Sequence, residues 1–188
     1  MATMTTAPEP LWQPFFERYY ADNEALRHIL VTHSRSVADK ALEVARCHPE
    51  LEVDLQFLEE AAMLHDIGVF LTNAPGIHCF GCEPYIRHGL IGANLLRRHG
   101  LPRHARVAER HTGTGLTAQA IVEQSLPLPV RDFLPETIEE QIVCYADKFF
   151  SKTHLERVRS KEQVLRSLEK FGEESVERMK AWMERFEP

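Results

Sequence analysis

Several histidines and one aspartate occupy positions that an amphipathic helix would give to apolar side chains. His33 follows Ile29 and Leu30 at helical spacing and precedes Val37 by one turn, so it lies on the buried face of its helix. The same spacing relative to apolar neighbours places four more residues on buried helical faces: His65, His88, His111 and Asp147. Burying a polar group without a partner costs about 2–7 kcal/mol, and an unpaired carboxylate costs more. These side chains therefore need a common partner.

A divalent cation would supply that partner, because imidazole and carboxylate groups are the ligands that borderline cations prefer. Asp66, next to His65, adds a second carboxylate that can point to the same centre. A single histidine on an apolar face is more often a hydrogen-bonded core residue, and for His88 alone that interpretation ranks first. For the complete set of buried histidines and aspartates, metal binding is the preferred interpretation. Five other histidines are predicted on the surface, and no site is built on them: His28, His48, His99, His104 and His154.

Helical periodicity dominates the chain, and strand-like alternation is nearly absent. It predicts an all-α, compact single-domain bundle of six to eight helices. The expected helices cover about 11–20, 22–47, 54–68, 85–99, 103–112, 117–124, 137–152 and 160–186. Thr137 followed by Glu140 is the capping-box pattern and predicts a helix start. We expect one domain over 1–188, with a metal-binding core at about 22–155 and a C-terminal helix in 156–188.

Residues 71–84 carry several glycine and proline breakers and are predicted to form a loop. The loop contains Cys79 and Cys82, but a lone C-x-x-C lacks the second pair of a structural zinc site. The preferred interpretation is a lid whose cysteines pack or are incidental. A redox-sensitive lid, or contact of His78 with substrate, is the alternative.

Composition limits the possible partners. The formal net charge of −6 argues against binding a nucleic-acid polymer, although a local group of cations can hold a small anion. No apolar run approaches the roughly 20 residues that span a bilayer, so we expect no membrane association. The first residues lack the pattern of a secretion leader, and the four cysteines lack a disulfide framework spacing, so a cytoplasmic location is expected.

The motifs resemble those of the HD superfamily of metal-dependent phosphohydrolases. LHDIG at 64–68 is similar to the family's HDIG signature, with His33 at the upstream histidine and Asp147, in CYADKF, at the distal aspartate. His88 in RHGLIGANLL and His111 in ERHTGTGL match the additional histidines of its dinuclear branch. The resemblance covers about two-thirds of the chain and excludes both termini. It is specific for fold and metal binding, and much less so for substrate.

The resemblance implies two divalent ions, with Fe, Mn, Co, Ni, Zn and Mg not distinguished. One ion would be held by His33, His65, Asp66 and Asp147, and the other by Asp66, His88 and His111, with Asp66 as a catalytic bridge. A metal-bound hydroxide would then hydrolyse a small phosphate ester or anhydride, expected to be a nucleotide. Arg87 and Lys148 are the predicted substrate-binding cations, chosen from a set that also included Arg110 and Lys152.

Two other functions remain open at this point. The same ligand order resembles that of diiron oxygenases in the superfamily, which need iron and oxygen. A non-catalytic module that senses a nucleotide or a metal is the third possibility. A covalent serine mechanism and a kinase mechanism have no support, because the chain has neither a nucleophile elbow nor a P-loop.

Overall fold

A computed structural model describes residues 9–187, and over this range the fold is all-α. Residues 1–8, part of the stretch used for the secretion prediction, lie outside the described residues. The helices are α1 Gln13–Tyr19, α2 Glu24–Cys47, α3 Leu55–Leu64, α4 His88–Arg98, α5 Pro102–Arg110, α6 Ala118–Glu123, α7 Ile138–Asp147, α8 Lys161–Leu168 and α9 Glu173–Phe186. Within residues 9–187, no helix combines the length and the apolar character needed to cross a membrane.

Side-chain caps fix where the helices that carry the site begin. The Asn23 side chain accepts a hydrogen bond from the Leu26 amide at 3.0 Å at the start of α2. Asp54 does the same for the Phe57 amide at the start of α3. The capping box predicted at Thr137 and Glu140 is present at the start of α7. Each cap satisfies amides that the first helical turn leaves without partners.

The core lies between α2, α3, α5 and α7, with fully buried side chains such as Leu30, Val37, Leu58 and Val143. Helix α4 packs against α5 and against a 3₁₀ turn at Ile67–Leu71. A Cβ added to Gly68 would lie 2.2 Å from the backbone nitrogen of Gly92 and 2.2 Å from the carbonyl oxygen of His88. This close backbone approach brings the segment after α3 next to the start of α4.

The carboxyl-terminal segment 156–188, predicted as one helix, contains two α-helices instead. Gly172 has φ +94°, in the left-handed region that a right-handed helix does not use, and it separates α8 from α9. The described chain therefore has nine α-helices rather than the predicted six to eight. A 3₁₀ turn at Glu169–Phe171 completes the bend.

Two further predictions need correction. The loop 71–84 contains a short antiparallel hairpin, β1 Asn73–Ala74 and β2 Cys79–Phe80. His104 is buried rather than on the surface, because its ring lies edge-on to Phe57 and its Nε2 lies 3.1 Å from a carboxylate oxygen of Glu60. Glu60, on α3, thus offsets the free-energy cost of burying this imidazole.

Candidate metal centre

The residues predicted as metal ligands converge in the interior from four helices and the turn after α3. His33 lies in the middle of α2, and His65 and Asp66 follow α3 directly. His88 begins α4, His111 follows α5, and Asp147 is the last residue of α7. All six are buried, with exposed fractions of 8% or less. The sequence spacing therefore predicted their burial correctly.

The first group of side chains joins α2, α3 and α7. His33 Nε2 lies 3.0 Å from Asp147 Oδ1 and 3.3 Å from Asp66 Oδ2. His65 Nε2 lies 3.0 Å from the same oxygen of Asp66 and 3.5 Å from Asp147 Oδ1. One ligand atom from each of these four residues lies within 4.8 Å of the others, which suits a single cation.

The second group joins α4 and α5 to the other oxygen of the same carboxylate. Asp66 Oδ1 lies 3.3 Å from His88 Nε2 and 3.4 Å from His111 Nε2. The two imidazole nitrogens lie 3.0 Å apart. Asp66 therefore presents one oxygen to each group, which is the arrangement of a carboxylate that bridges two cations.

Hydrogen bonds at the far side of the rings decide which nitrogen faces the centre. His88 Nδ1 lies 2.7 Å from the Tyr85 carbonyl oxygen, and His111 Nδ1 lies 2.8 Å from that of Ala108. A carbonyl oxygen can only accept, so each Nδ1 carries the proton and each neutral ring has its lone pair on Nε2. The 3.0 Å contact between the two Nε2 atoms then brings two lone pairs together. A cation between them would remove this repulsion, so the residues fit a metal ion.

The pKa values agree with neutral rings in the second group. Burial lowers the pKa of His88 to about 3, and burial also lowers the pKa of His111. In the first group, burial lowers the pKa of His65, but Asp66 and Asp147 raise it more, to about 9. For Asp66, burial raises the pKa, while His65 and Lys152 outweigh burial and hold the pKa well below its usual range.

Two lysines balance the charge of the carboxylates. Lys152 Nζ lies 2.6 Å from Asp66 Oδ2, and Lys148 Nζ lies 2.5 Å from Asp147 Oδ2. Lys148 also donates to the carbonyl oxygen of His111 at 2.9 Å. Although burial lowers the pKa of Lys152, Asp66 raises it to well above the ordinary value. Within residues 9–187, neither carboxylate oxygen of Asp66 accepts a hydrogen bond of good geometry. The Asp66 carboxylate therefore remains available to a ligand.

A cavity of about 410 Å³ opens onto this cluster. His88, His111 and Asp147 lie at its inner end. The loop 71–84 contributes Ala74, Gly76 and Ile77 to its wall, and Tyr85 stacks on the His88 ring with centroids 4.7 Å apart. Four cationic side chains line the cavity: Lys148, Lys152, Arg159 and Lys170. The volume falls within the range of small-molecule sites.

The family model for the HD domain matches residues 30–151, which include all the candidate ligands. The chain belongs to the HD-domain family. Its fold is accordingly that of metal-dependent phosphohydrolases, and its buried histidine and aspartate groups suit divalent cations. No solved structure matches the chain.

Three curated relatives are similar to this chain over 123 to 127 residues. The chain is 37% identical over 124 residues to a tRNA (cytidine(56)-2'-O)-methyltransferase of Picrophilus torridus, covering 65% of this chain and 32% of the relative. A protein of the same name from Thermoplasma volcanium is 35% identical over 123 residues, covering 65% and 32%. An uncharacterized protein of Methanocaldococcus jannaschii is 36% identical over 127 residues, covering 66% and 68%. The match thus spans about a third of the length of the two methyltransferases.

The cations predicted to bind substrate at this HD site have different surroundings. Lys148 lines the cavity, as expected of a substrate contact. Arg87 does not line it: its guanidinium pairs with Glu83, four residues earlier, at 2.6 Å. Arg110 is directed to the Leu134 carbonyl oxygen and to Glu136. Being next to a candidate ligand in sequence did not predict where the Arg87 and Arg110 side chains point, because neighbouring side chains on a helix point about 100° apart.

Three residues of the cavity wall were missed as site residues. Tyr85 precedes His88 by one helical turn, and this spacing could have indicated contact between the two rings. Arg159 and Lys170 lie beyond the family motifs: Arg159 precedes α8, and Lys170 lies in the 3₁₀ turn between α8 and α9. Cys79 is buried and donates to the Thr72 carbonyl oxygen, while Cys82 is exposed, so the two are not joined by a disulfide.

Proposed function

We propose that this chain is a metal-dependent phosphohydrolase that acts on a small phosphate ester or anhydride of nucleotide size. One observation carries the proposal: two groups of buried ligands share Asp66 at the inner end of a cavity lined by four cations. The carboxylate and imidazole ligands suit divalent metal ions, and the cations of the wall suit an anionic substrate.

Two ions are proposed, one held by His33, His65, Asp66 and Asp147 and the other by Asp66, His88 and His111. When bound, such ions neutralise phosphoryl charge and lower the pKa of water towards about 7, which makes a nucleophile available at neutral pH. The chain's contribution is to fix the ligands. The carbonyl oxygens of Tyr85 and Ala108 hold the His88 and His111 rings with Nε2 towards the centre.

Lys148 and Lys152 are proposed to bind the phosphoryl oxygens. Their ammonium groups already lie against the ligand carboxylates Asp147 and Asp66, so they border the place where a phosphoryl group would meet the ligand cluster. A lysine ammonium can donate three hydrogen bonds, and bonds to a phosphate oxygen are charge-assisted. Both lysines can therefore keep one carboxylate contact and bind substrate as well.

The cavity favours a small substrate over a polymer. Its wall includes Ala74 and Ile77, which belong to the loop 71–84, and Phe171. A volume of about 410 Å³ accommodates a molecule of nucleotide size. The net charge of −6 disfavours long-range attraction of a nucleic-acid backbone.

The names of the two methyltransferases are not a basis for the proposed activity. About two-thirds of each relative lies outside the match, so their methyl transfer need not belong to the shared segment. The family match contains the ligand cluster, for which phosphoryl chemistry gives a direct use.

The test is phosphate release under anaerobic conditions from a panel of nucleotides and generic phosphoesters, with Mn²⁺, Co²⁺, Ni²⁺ or Mg²⁺ added. We expect turnover of at least one member without oxygen. Asp66→Asn should reduce it by at least about a hundredfold, because the bridging charge is lost. Asp39→Asn, at an exposed aspartate that pairs with Arg35, is the matched control and should keep full activity.

Two outcomes would contradict the proposal. Consumption of oxygen with iron, together with no phosphate release, would instead identify an oxygenase. Tight binding of a nucleotide without turnover under any of the metals would identify a sensing module.

A further inference from the structure

The outer wall of the cavity comes from a part of the chain that the family match does not include. The match ends at residue 151, whereas Lys152, Arg159, Leu168, Lys170 and Phe171 all line the cavity. Residues 159–171 thus contribute a wall that lies outside the family match. Residues in such a position can select a substrate without taking part in the shared chemistry.

The four cations of the cavity fall into two pairs. Lys148 and Lys152 each pair with a candidate ligand carboxylate. Arg159 and Lys170 have no carboxylate within 4.0 Å among residues 9–187. The Arg159 guanidinium is nevertheless held in place, because it donates to the Lys148 carbonyl oxygen at 3.1 Å. This second pair of cations therefore carries charge that nothing in the described chain neutralises.

An aromatic ring lies beside Lys170, one member of the second pair. A Cβ on Gly113 would lie 3.2 Å from the Phe171 ring, so this ring packs on the backbone two residues after His111. Lys170 Nζ lies 5.0 Å from the centroid of the same ring. The close approach needs a glycine, which at φ +60° also adopts the left-handed conformation. Phe171 thus places an apolar surface between the ligand cluster and the outer cations.

We infer that the segment 159–171 binds a second anionic group of the substrate, with Arg159 and Lys170 as its cations and Phe171 as the surface for the portion between the two charges. The inference rests on the proposed function and narrows it to phosphate esters that carry two separated anionic groups, such as a nucleoside bisphosphate. The first phosphate would lie by Lys148 and Lys152, and the second by Arg159 and Lys170.

The test compares equilibrium binding of two probes that differ in one phosphate, adenosine 5′-monophosphate and adenosine 3′,5′-bisphosphate. Calorimetry on the full chain in EDTA measures affinity in the absence of turnover. We expect the bisphosphate to bind about tenfold more tightly, as for one added charge-assisted contact. Arg159→Met and Lys170→Met should each remove most of this preference, with a much smaller loss of affinity for the monophosphate than for the bisphosphate.

Matched variants separate charge from structure. Arg157→Met removes an exposed arginine beside Glu156, two residues before Arg159, and should keep the preference. Arg159→Lys should restore part of it. Equal affinity of the wild type for both probes, binding of neither probe at millimolar concentration, or equal losses for both probes in the variants would overturn the inference. A preference that the variants remove, in a chain that releases no phosphate, would support the anion site while refuting the proposed hydrolase.

Discussion

Lys152 Nζ and Asp66 Oδ2 lie 2.6 Å apart, and both side chains are largely buried. The same oxygen of Asp66 lies 3.0 Å from His65 Nε2 and 3.3 Å from His33 Nε2. The lysine thus supplies positive charge at the carboxylate that both candidate ligand groups share. A metal ion at Asp66 would supply the same charge, which leads to a test that does not depend on activity.

Lys152→Met should destabilise the metal-free chain by about 3 kcal/mol, because it removes one of the positive charges that offset a buried carboxylate. Added Mn²⁺ should recover most of the loss, since the ion replaces the missing charge. Thermal unfolding with EDTA and with Mn²⁺ measures both effects. Lys180→Met, at an exposed lysine that pairs with Glu177, should change neither melting temperature. A Lys152→Met variant as stable as wild type in EDTA would contradict this account of the charge.

The second ligand group depends on His88 and His111. His88→Ala and His111→Ala should each lower the metal content from about two ions towards one, because few protein ligands hold that site. Folding should survive, because each change also removes a buried polar group's need for a partner. Elemental analysis and circular dichroism measure the two properties. His154→Ala, at an exposed histidine, is the control. Full metal content and full phosphate release in both ligand variants would indicate a mononuclear site.

The approach of α4 to the 3₁₀ turn after α3 depends on Gly68. Gly68→Ala would place a Cβ 2.2 Å from two backbone atoms, so α4 and His88 must move. We expect a loss of about 3 kcal/mol in the free energy of unfolding. Gly76→Ala, whose nearest neighbour would be a Thr153 methyl at 3.9 Å, should cost far less. Urea unfolding of both variants measures the difference. Equal stability of the two would refute the role of Gly68.

The sequence predicted most of what positions the candidate ligands. The helical spacing of His33, His65 and Asp147 relative to apolar neighbours was sufficient, because periodicity fixes which face of a helix is buried. Burial of His104 was missed, since its partner Glu60 lies 44 positions earlier. The periodicity of apolar residues indicates which face of a helix is buried. It does not identify a hydrogen-bond partner that is distant in sequence.

The carboxyl-terminal wall could not be predicted in the same way. The bend at Gly172 depends on one residue in a left-handed conformation, while the apolar stripe continues through it. Lys170 and Phe171 lie in the 3₁₀ turn before this bend, and Phe171 packs on Gly113, whereas Arg159 precedes α8 and donates to the Lys148 carbonyl oxygen. The directions of Arg87 and Arg110 likewise depend on carboxylates and carbonyl groups that the local pattern does not specify.

The cysteines provide a check on burial around the site. Cys47 and Cys82 are exposed, whereas Cys79 and Cys144 are buried. Burial raises the pKa of Cys144 to about 12, and its thiol donates to the His111 carbonyl oxygen at 3.3 Å. Because the thiolate is the reactive form, iodoacetamide at pH 8 should modify Cys47 and Cys82 and spare the other two. Mass spectrometry of native and denatured protein measures this. Modification of Cys144 as fast as Cys47 in the native chain would contradict the packing around His111.

The central claim is that one buried carboxylate, Asp66, is shared by two metal sites. Crystals of the full chain grown with Mn²⁺ and measured near the manganese absorption edge test it directly. We predict two anomalous peaks per chain, one beside His33, His65 and Asp147 and the other beside His88 and His111, with Asp66 contacting both. A single peak, or peaks that lie away from Asp66, would contradict the claim.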